Sequence, residues 1–130
     1  MPNAIRSQRA PAPIGPYSQA IRAGDFLFLS GQIPLSPASG DVVGTTASEQ
    51  SEQILSNLSA ILEAAGASVA DVVKTTIFLV DLSDFAAVNE AYGKFFGRCG
   101  PPPARSTVQV SALPRGVRVE IEAVAHLTGK

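Results

Sequence analysis

A single cysteine and a single histidine stand in this chain of 130 residues. The lone Cys99 cannot close an internal disulfide, which points to a reducing, cytoplasmic setting and away from a disulfide-stapled secreted scaffold. With His126 as the one imidazole, no group of residues has the spacing of a zinc or iron site, so no metal is expected. Basic runs are missing as well. Ten Lys and Arg against eleven Asp and Glu give a net charge of −1 and a pI near 5.7, which disfavours nucleic-acid binding by phosphate neutralisation. No apolar stretch reaches membrane-spanning length, and the N-terminus lacks the apolar core of a signal peptide, so no membrane association is expected. Gly-x-Ser-x-Gly elbows, phosphate loops and dinucleotide fingerprints are all absent.

Apolar surface, in contrast, is plentiful. Hydrophobic residues make up 45% and charged residues 16%, a balance with little charge to spread over a monomer's surface, which favours an oligomer. The length suits one domain over residues 1–130. The clearest strand pattern runs through Val117, Val119, Ile121, Ala123 and Ala125, with Arg118, Glu120 and Glu122 pointing the other way. A second alternating stretch puts Val108 and Val110 on one face and Arg105, Thr107 and Gln109 on the other. If the Leu113–Gly116 turn pairs these two strands as neighbours, Arg105 and Glu120 share one side of the sheet.

Upstream, residues 1–9 read as an edge strand or a loose terminus. Three prolines and a glycine in residues 11–16 then enforce a stiff, extended loop that delivers Tyr17. Residues 18–22 read as a short strand. The continuous apolar run Phe26-Leu27-Phe28-Leu29 predicts a strand covered on both faces, ending at Ser30-Gly31, where the missing Cβ bulk lets a ligand approach the backbone closely. Residues 34–44 form a surface loop with a possible hairpin at Ser39-Gly40-Asp41. Thr46 and Glu49 make a capping box for a helix striped by Ile54, Leu58, Ile61, Leu62 and Ala65 and ended by Gly66. A β-branched strand over 72–80 and a second helix over 85–96 follow, the latter striped by Phe85, Val88, Tyr92, Phe95 and Phe96. The expected fold is α+β, two helices on one mixed β-sheet.

The polar groups placed by stiff turns or strand ends are Tyr17, Ser30, Asn89, Arg105, Thr107 and Glu120. An arginine can grip a carboxylate in a bidentate fork, and a glutamate can take a proton from water. Glu122, two residues from Glu120 on the same face, raises the proton affinity of its neighbour by repulsion. Each residue also has a bland reading: Tyr17 packs, Ser30 bonds within its turn, Asn89 faces solvent, and Arg105 and Glu120 form a cross-strand ion pair. Cys99 reads as an inert or merely oxidisable thiol and His126 as a strand-end residue.

Ile14-Gly-Pro-Tyr-Ser-Gln-Ala20, Leu29-Ser-Gly-Gln-Ile-Pro34, Phe85-Ala-Ala-Val-Asn-Glu-Ala-Tyr92, Pro103-Ala-Arg-Ser106 and Val119-Glu-Ile-Glu-Ala123 resemble the RidA (YjgF/YER057c/UK114) family of reactive-intermediate deaminases, in this order from about Ala10 to Ala125. The resemblance implies a chorismate-mutase-like fold assembled as a homotrimer with clefts between subunits. It also implies hydrolysis of enamine and imine acids such as 2-aminoacrylate and 2-iminobutanoate to 2-oxo acids and ammonia, without metal or organic cofactor. On it, Arg105 matches the carboxylate-binding arginine and Glu120 the water-activating glutamate. Tyr17, Ser30, the Gly31 backbone and Asn89 match positions lining the cleft. Thr107 departs from the pattern, standing where the best-studied branch has a cysteine. The first competing reading is a non-catalytic metabolite-binding or protein-interaction module using the same cleft. The second, which the resemblance also raises, is an RNA-cleaving role, against which the acidic pI and the missing basic patch weigh.

Overall fold

A computed structural model describes residues 2–98 and 100–127, so the reading of Cys99 concerns a residue outside those described. Six strands form one sheet: β1 (Asn3–Ile5), β2 (Ala20–Ala23), β3 (Phe26–Gln32), β4 (Val72–Leu79), β5 (Ala104–Gln109) and β6 (Val119–His126). Their spatial order is β1-β2-β3-β6-β4-β5. Two helices, α1 (Ala47–Ala64) and α2 (Phe85–Phe96), lie on one face. Only β4 and β5 run parallel, the pair being joined through α2, as a parallel connection requires.

Local signals explain most boundaries. Thr46 caps α1 by accepting from the Glu49 amide, while Glu49 reaches back to the Thr46 amide. Gly66, with φ 75°, closes the far end and bonds to the Glu63 carbonyl. The buried stripe of α1 and α2 meets alternate residues of the sheet, Leu27, Leu29, Ile77, Leu79, Val119, Ile121, Ala123 and Ala125, all at most 4% exposed. The loop between β3 and α1 does make a small reversal: Leu35 bridges Val42 and Gly40 takes φ 76°.

Two sequence expectations are corrected here. Phe26 to Leu29 is not covered on both faces: Leu27 and Leu29 are buried, whereas Phe26 and Phe28 are 43% and 49% exposed. Four apolar residues in a row hid the alternation, because the outward face of the sheet is itself apolar. Nor are β5 and β6 neighbours. Both edges of β6 are occupied, by β3 and β4, and β4 separates it from β5. The Leu113–Gly116 connection is a 3-10 turn bent at Arg115, φ 61°, and carries the chain past β4.

Candidate active site

The register decides which side chains can meet. Thr75 pairs with Arg105 and Ile77 with Thr107, while Ile77 pairs with Ile121 and Phe78 with Glu120. Paired residues share a face. Arg105 and Thr107 therefore stand on the helix side of the sheet, and Glu120 on the open side. The expectation that Arg105 and Glu120 share one side is overturned, because it depended on β5 and β6 being adjacent. The candidate site is divided into two halves.

The first half surrounds Glu120. Between Leu29 and Gln32 strand β3 carries one residue more than β6 does between Ala123 and Ile121, a bulge at Ser30-Gly31. A bulge bends its strand and re-aims side chains, and here it opens beside Glu120 and Glu122. A cavity of about 500 Å³ results, with Tyr17, Ser30, Gly31 and Glu120 among its lining and Ile14, Ile33, Leu35 and Pro114 as apolar walls. Glu120 is half-buried. Burial pushes its carboxyl above the usual range, and the neighbouring Glu122 charge pushes it the same way. Among the described residues it makes no hydrogen bond or ion pair.

Gly31 explains how the carboxylate fits. A Cβ there would overlap Glu120 Oε2 and stand 2.9 Å from its Cδ. The space expected to admit a ligand at Gly31 is thus taken by the chain's own carboxylate. Ser30 donates its hydroxyl to the Ser18 carbonyl at 2.6 Å and its amide to the Gln19 carbonyl at 2.9 Å, so its side chain ties β3 to the residues entering β2, across the hairpin and not within its own turn. Tyr17 is 46% exposed at the cavity, held where its loop turns back: its amide bonds to the Gly15 carbonyl, and its hydroxyl accepts from the Ile14 amide at 3.3 Å.

Gln19 was not singled out by sequence. Buried at 3% exposure, it accepts from the Ser7 amide and donates to the Ser7, Ala10 and Pro11 carbonyls. It fastens the proline-rich stretch that walls the cavity. A glutamine following a tyrosine at a strand entrance carries no local pattern that would have revealed this.

The second half surrounds Arg105. Its guanidinium carbon lies 5.4 Å from the Phe85 ring centroid and 4.9 Å from that of Tyr92, and no carboxylate pairs with it among the described residues. Other arginines are committed: Arg118 to Asp84 at 3.0 Å and Arg9 to Glu63. Thr107, two residues along the same face, has its hydroxyl buried with no partner. Asn89, half-buried, sits four residues after Phe85 and three before Tyr92, on the same stripe of α2. Arg105, Thr107 and Asn89 thus form one group and Tyr17, Ser30, Gly31 and Glu120 the other. No cluster of metal-ligating side chains occurs among the described residues, and no helix there is long and apolar enough to cross a membrane.

Comparison with known proteins places the chain. The family model described as endoribonuclease L-PSP matches residues 7–127. A RutC family protein of Pyrococcus horikoshii is 52% identical over 97% of this chain and 98% of its own length. Reactive Intermediate Deaminase A, chloroplastic, of Arabidopsis thaliana is 50% identical over 95% of this chain and 65% of its own. The crystal structure of E. coli TdcF with bound serine matches with a TM-score of 0.91 at 46% identity, over 95% of this chain and 98% of that one.

Proposed function

The chain belongs to the endoribonuclease L-PSP family, the RidA/YjgF group, and on that footing we propose that it hydrolyses enamine and imine acids, 2-iminobutanoate and 2-iminopropanoate among them, to 2-oxo acids and ammonia. Membership and the Arabidopsis relative support an imine deaminase at the level of the family. The observation that carries the finer reading is the pair of unmatched charges: a guanidinium without an anion on one face and a half-buried carboxylate without a donor on the other. A small acid with an electrophilic carbon needs both, and one protomer cannot apply both to it.

The site is completed by a second copy. Outward-facing Phe26, Phe28 and Val108 supply apolar area for such contacts, and a head-to-tail interface that closes on itself makes a ring with one site per junction. Family membership, not the geometry, makes that ring a homotrimer in this proposal. Arg105 of one subunit binds the substrate carboxylate in a fork, with Thr107 and Asn89 beside it. Glu120 of the next subunit, among Tyr17, Ser30 and the Gly31 backbone, takes a proton from water as the oxygen bonds to the imine carbon. The C=N electron pair moves to nitrogen, which takes that proton back from Glu120 and leaves the carboxylate free again. The carbinolamine then collapses, its hydroxyl proton passing through Glu120, and ammonia leaves a 2-oxo acid. General-base help contributes about 10²–10⁴-fold, a sufficient term for imines that already hydrolyse in water. A cytoplasmic setting, suggested by the lone cysteine, belongs to the same proposal.

Arg105→Ala should cost about 2–5 kcal/mol in kcat/KM, because it strands the substrate carboxylate. Glu120→Gln should abolish turnover while keeping 2-oxo acid binding. Neither variant works alone, yet a ring mixing both contains a junction with both groups intact. Unfolding and refolding them together at equal amounts should restore about one quarter of wild-type activity. An inactive mixture, with mixed rings demonstrated by mass spectrometry, refutes the shared site. Wild-type-like ammonia release by Glu120→Gln, with 2-aminoacrylate generated in situ, refutes the mechanism.

A further inference from the structure

Arg105 is held, but not by an acid. Phe85 and Tyr92 are seven residues apart on α2, two turns on one face, a spacing of about 10.5 Å along the axis. The guanidinium carbon, 5.4 Å from one ring and 4.9 Å from the other, lies in the notch between them. Tyr92 is fixed: it is 5% exposed, and its hydroxyl meets Thr75 Oγ1 at 2.6 Å. Thr75 is in turn the register partner of Arg105 on β4. The tyrosine, the two paired strands and the arginine therefore form one closed circuit, with the ring's place set by β4, the strand paired to the one that carries the cation.

Phe85 is the other wall, and it differs. It opens α2 yet is 40% exposed, an open placement for a large apolar side chain. A ring over a cation explains that placement. The chemistry of the contact matters more than its strength. A carboxylate partner would immobilise Arg105 by occupying its N–H groups. An aromatic face attracts the charge without presenting the lone pairs that those donors need. Two rings can therefore fix the guanidinium in space and leave its donors for a ligand.

We propose that Phe85 and Tyr92 are positioning residues for carboxylate capture, acting through Arg105, with Phe85 the determinant at the open end of the notch. This rests on the reading that Arg105 takes the substrate carboxylate. Removing the ring while keeping apolar bulk lets the long side chain wander over the free edge of β5, so the effect falls on substrate binding and spares the chemical step at Glu120.

The test uses the full-length assembled protein. Phe85→Leu should raise KM for the imine acid about five- to tenfold, the size of one partly exposed cation–π contact plus lost orientation, with kcat within twofold. Phe85→Trp should return KM to wild type or below. In the Arg105→Ala background Phe85→Leu should change nothing further. Binding of 2-oxobutanoate to the Glu120→Gln protein, followed by calorimetry, should weaken by the same factor. Equal losses from Phe85→Leu with and without Arg105, or loss of kcat and melting temperature together with no rescue by tryptophan, overturn the inference. If Arg105→Ala itself leaves 2-oxobutanoate affinity unchanged, the underlying assignment fails. If that variant weakens binding and Phe85→Leu does not, only the positioning role fails.

Discussion

Replacing Gly31 with alanine separates catalysis from stability. The added methyl would overlap Glu120 Oε2 and stand 2.9 Å from Cδ, so the carboxylate must withdraw by about 1 Å, the scale at which misplacement costs on the order of 10²-fold in rate. The atoms displaced are the end of a flexible side chain and not backbone. Gly31 does not have positive φ, so alanine is unstrained there and narrows the unfolded ensemble, a gain of about 0.4–1 kcal/mol where the native conformation is compatible. Opposite signs are therefore expected. kcat should fall about 10- to 100-fold, equivalent to about 1.4–2.7 kcal/mol in the barrier, while the denaturation midpoint stays or rises. Ammonia release under saturating substrate and urea unfolding monitored by circular dichroism measure the two. Wild-type kcat in a well-folded Gly31→Ala protein would refute the role of Glu120 as the positioned base.

Glu120 holds its proton more tightly when folded than when unfolded, because of burial and Glu122. Between the ordinary glutamate value and the raised one, the folded state therefore binds more protons. Its contribution to stability is lost as pH rises through that window, and activity, which needs the ionised base, rises across it. Glu122→Gln should move the acidic limb of kcat/KM to lower pH, and an unmoved limb in the pH–rate profile would remove Glu122 from the account. Gln19→Leu strands the Ser7 amide and two or three carbonyls, costing about 3 kcal/mol, read as a lowered urea midpoint together with faster proteolysis near Pro11. Thr107→Val replaces a buried hydroxyl without a partner by an isosteric methyl and should stabilise the fold by about 1 kcal/mol, checked by equilibrium denaturation.

Most of the architecture is legible in local chemistry. The Thr46/Glu49 box, the Gly66 stop and the β-branched run before Asp81 each have a short-range cause and each reappears in the fold, as does the stripe of α2 through Val88, Tyr92 and Phe96, with Phe85 left exposed at its start. What alternation cannot convey is which strands lie side by side. The patterns of 105–110 and 117–125 are correct strand by strand, yet their faces were wrongly combined because β4, some 30 residues upstream, takes the place between them. The same limit hid the division of the site. Residues that look like one constellation along the chain occupy two faces of a sheet, and only the register separates them. Gln19 and the ring contacts of Arg105 were illegible for another reason: both depend on partners brought close by tertiary packing.

The position of β6 has a bearing on how the protein is made. It is the sixth strand to leave the ribosome, yet it stands between β3 and β4 and is the sole link between the β1-β2-β3 half of the sheet and the β4-β5 half. Without residues 119–126 the sheet falls into two strand clusters with unpaired inner edges, the kind of surface on which chaperones act and aggregates start. Pairing of that one segment along both its edges joins the clusters and sets Glu120 at its cavity, so closure of the sheet and completion of the cavity wall depend on the same 8 residues.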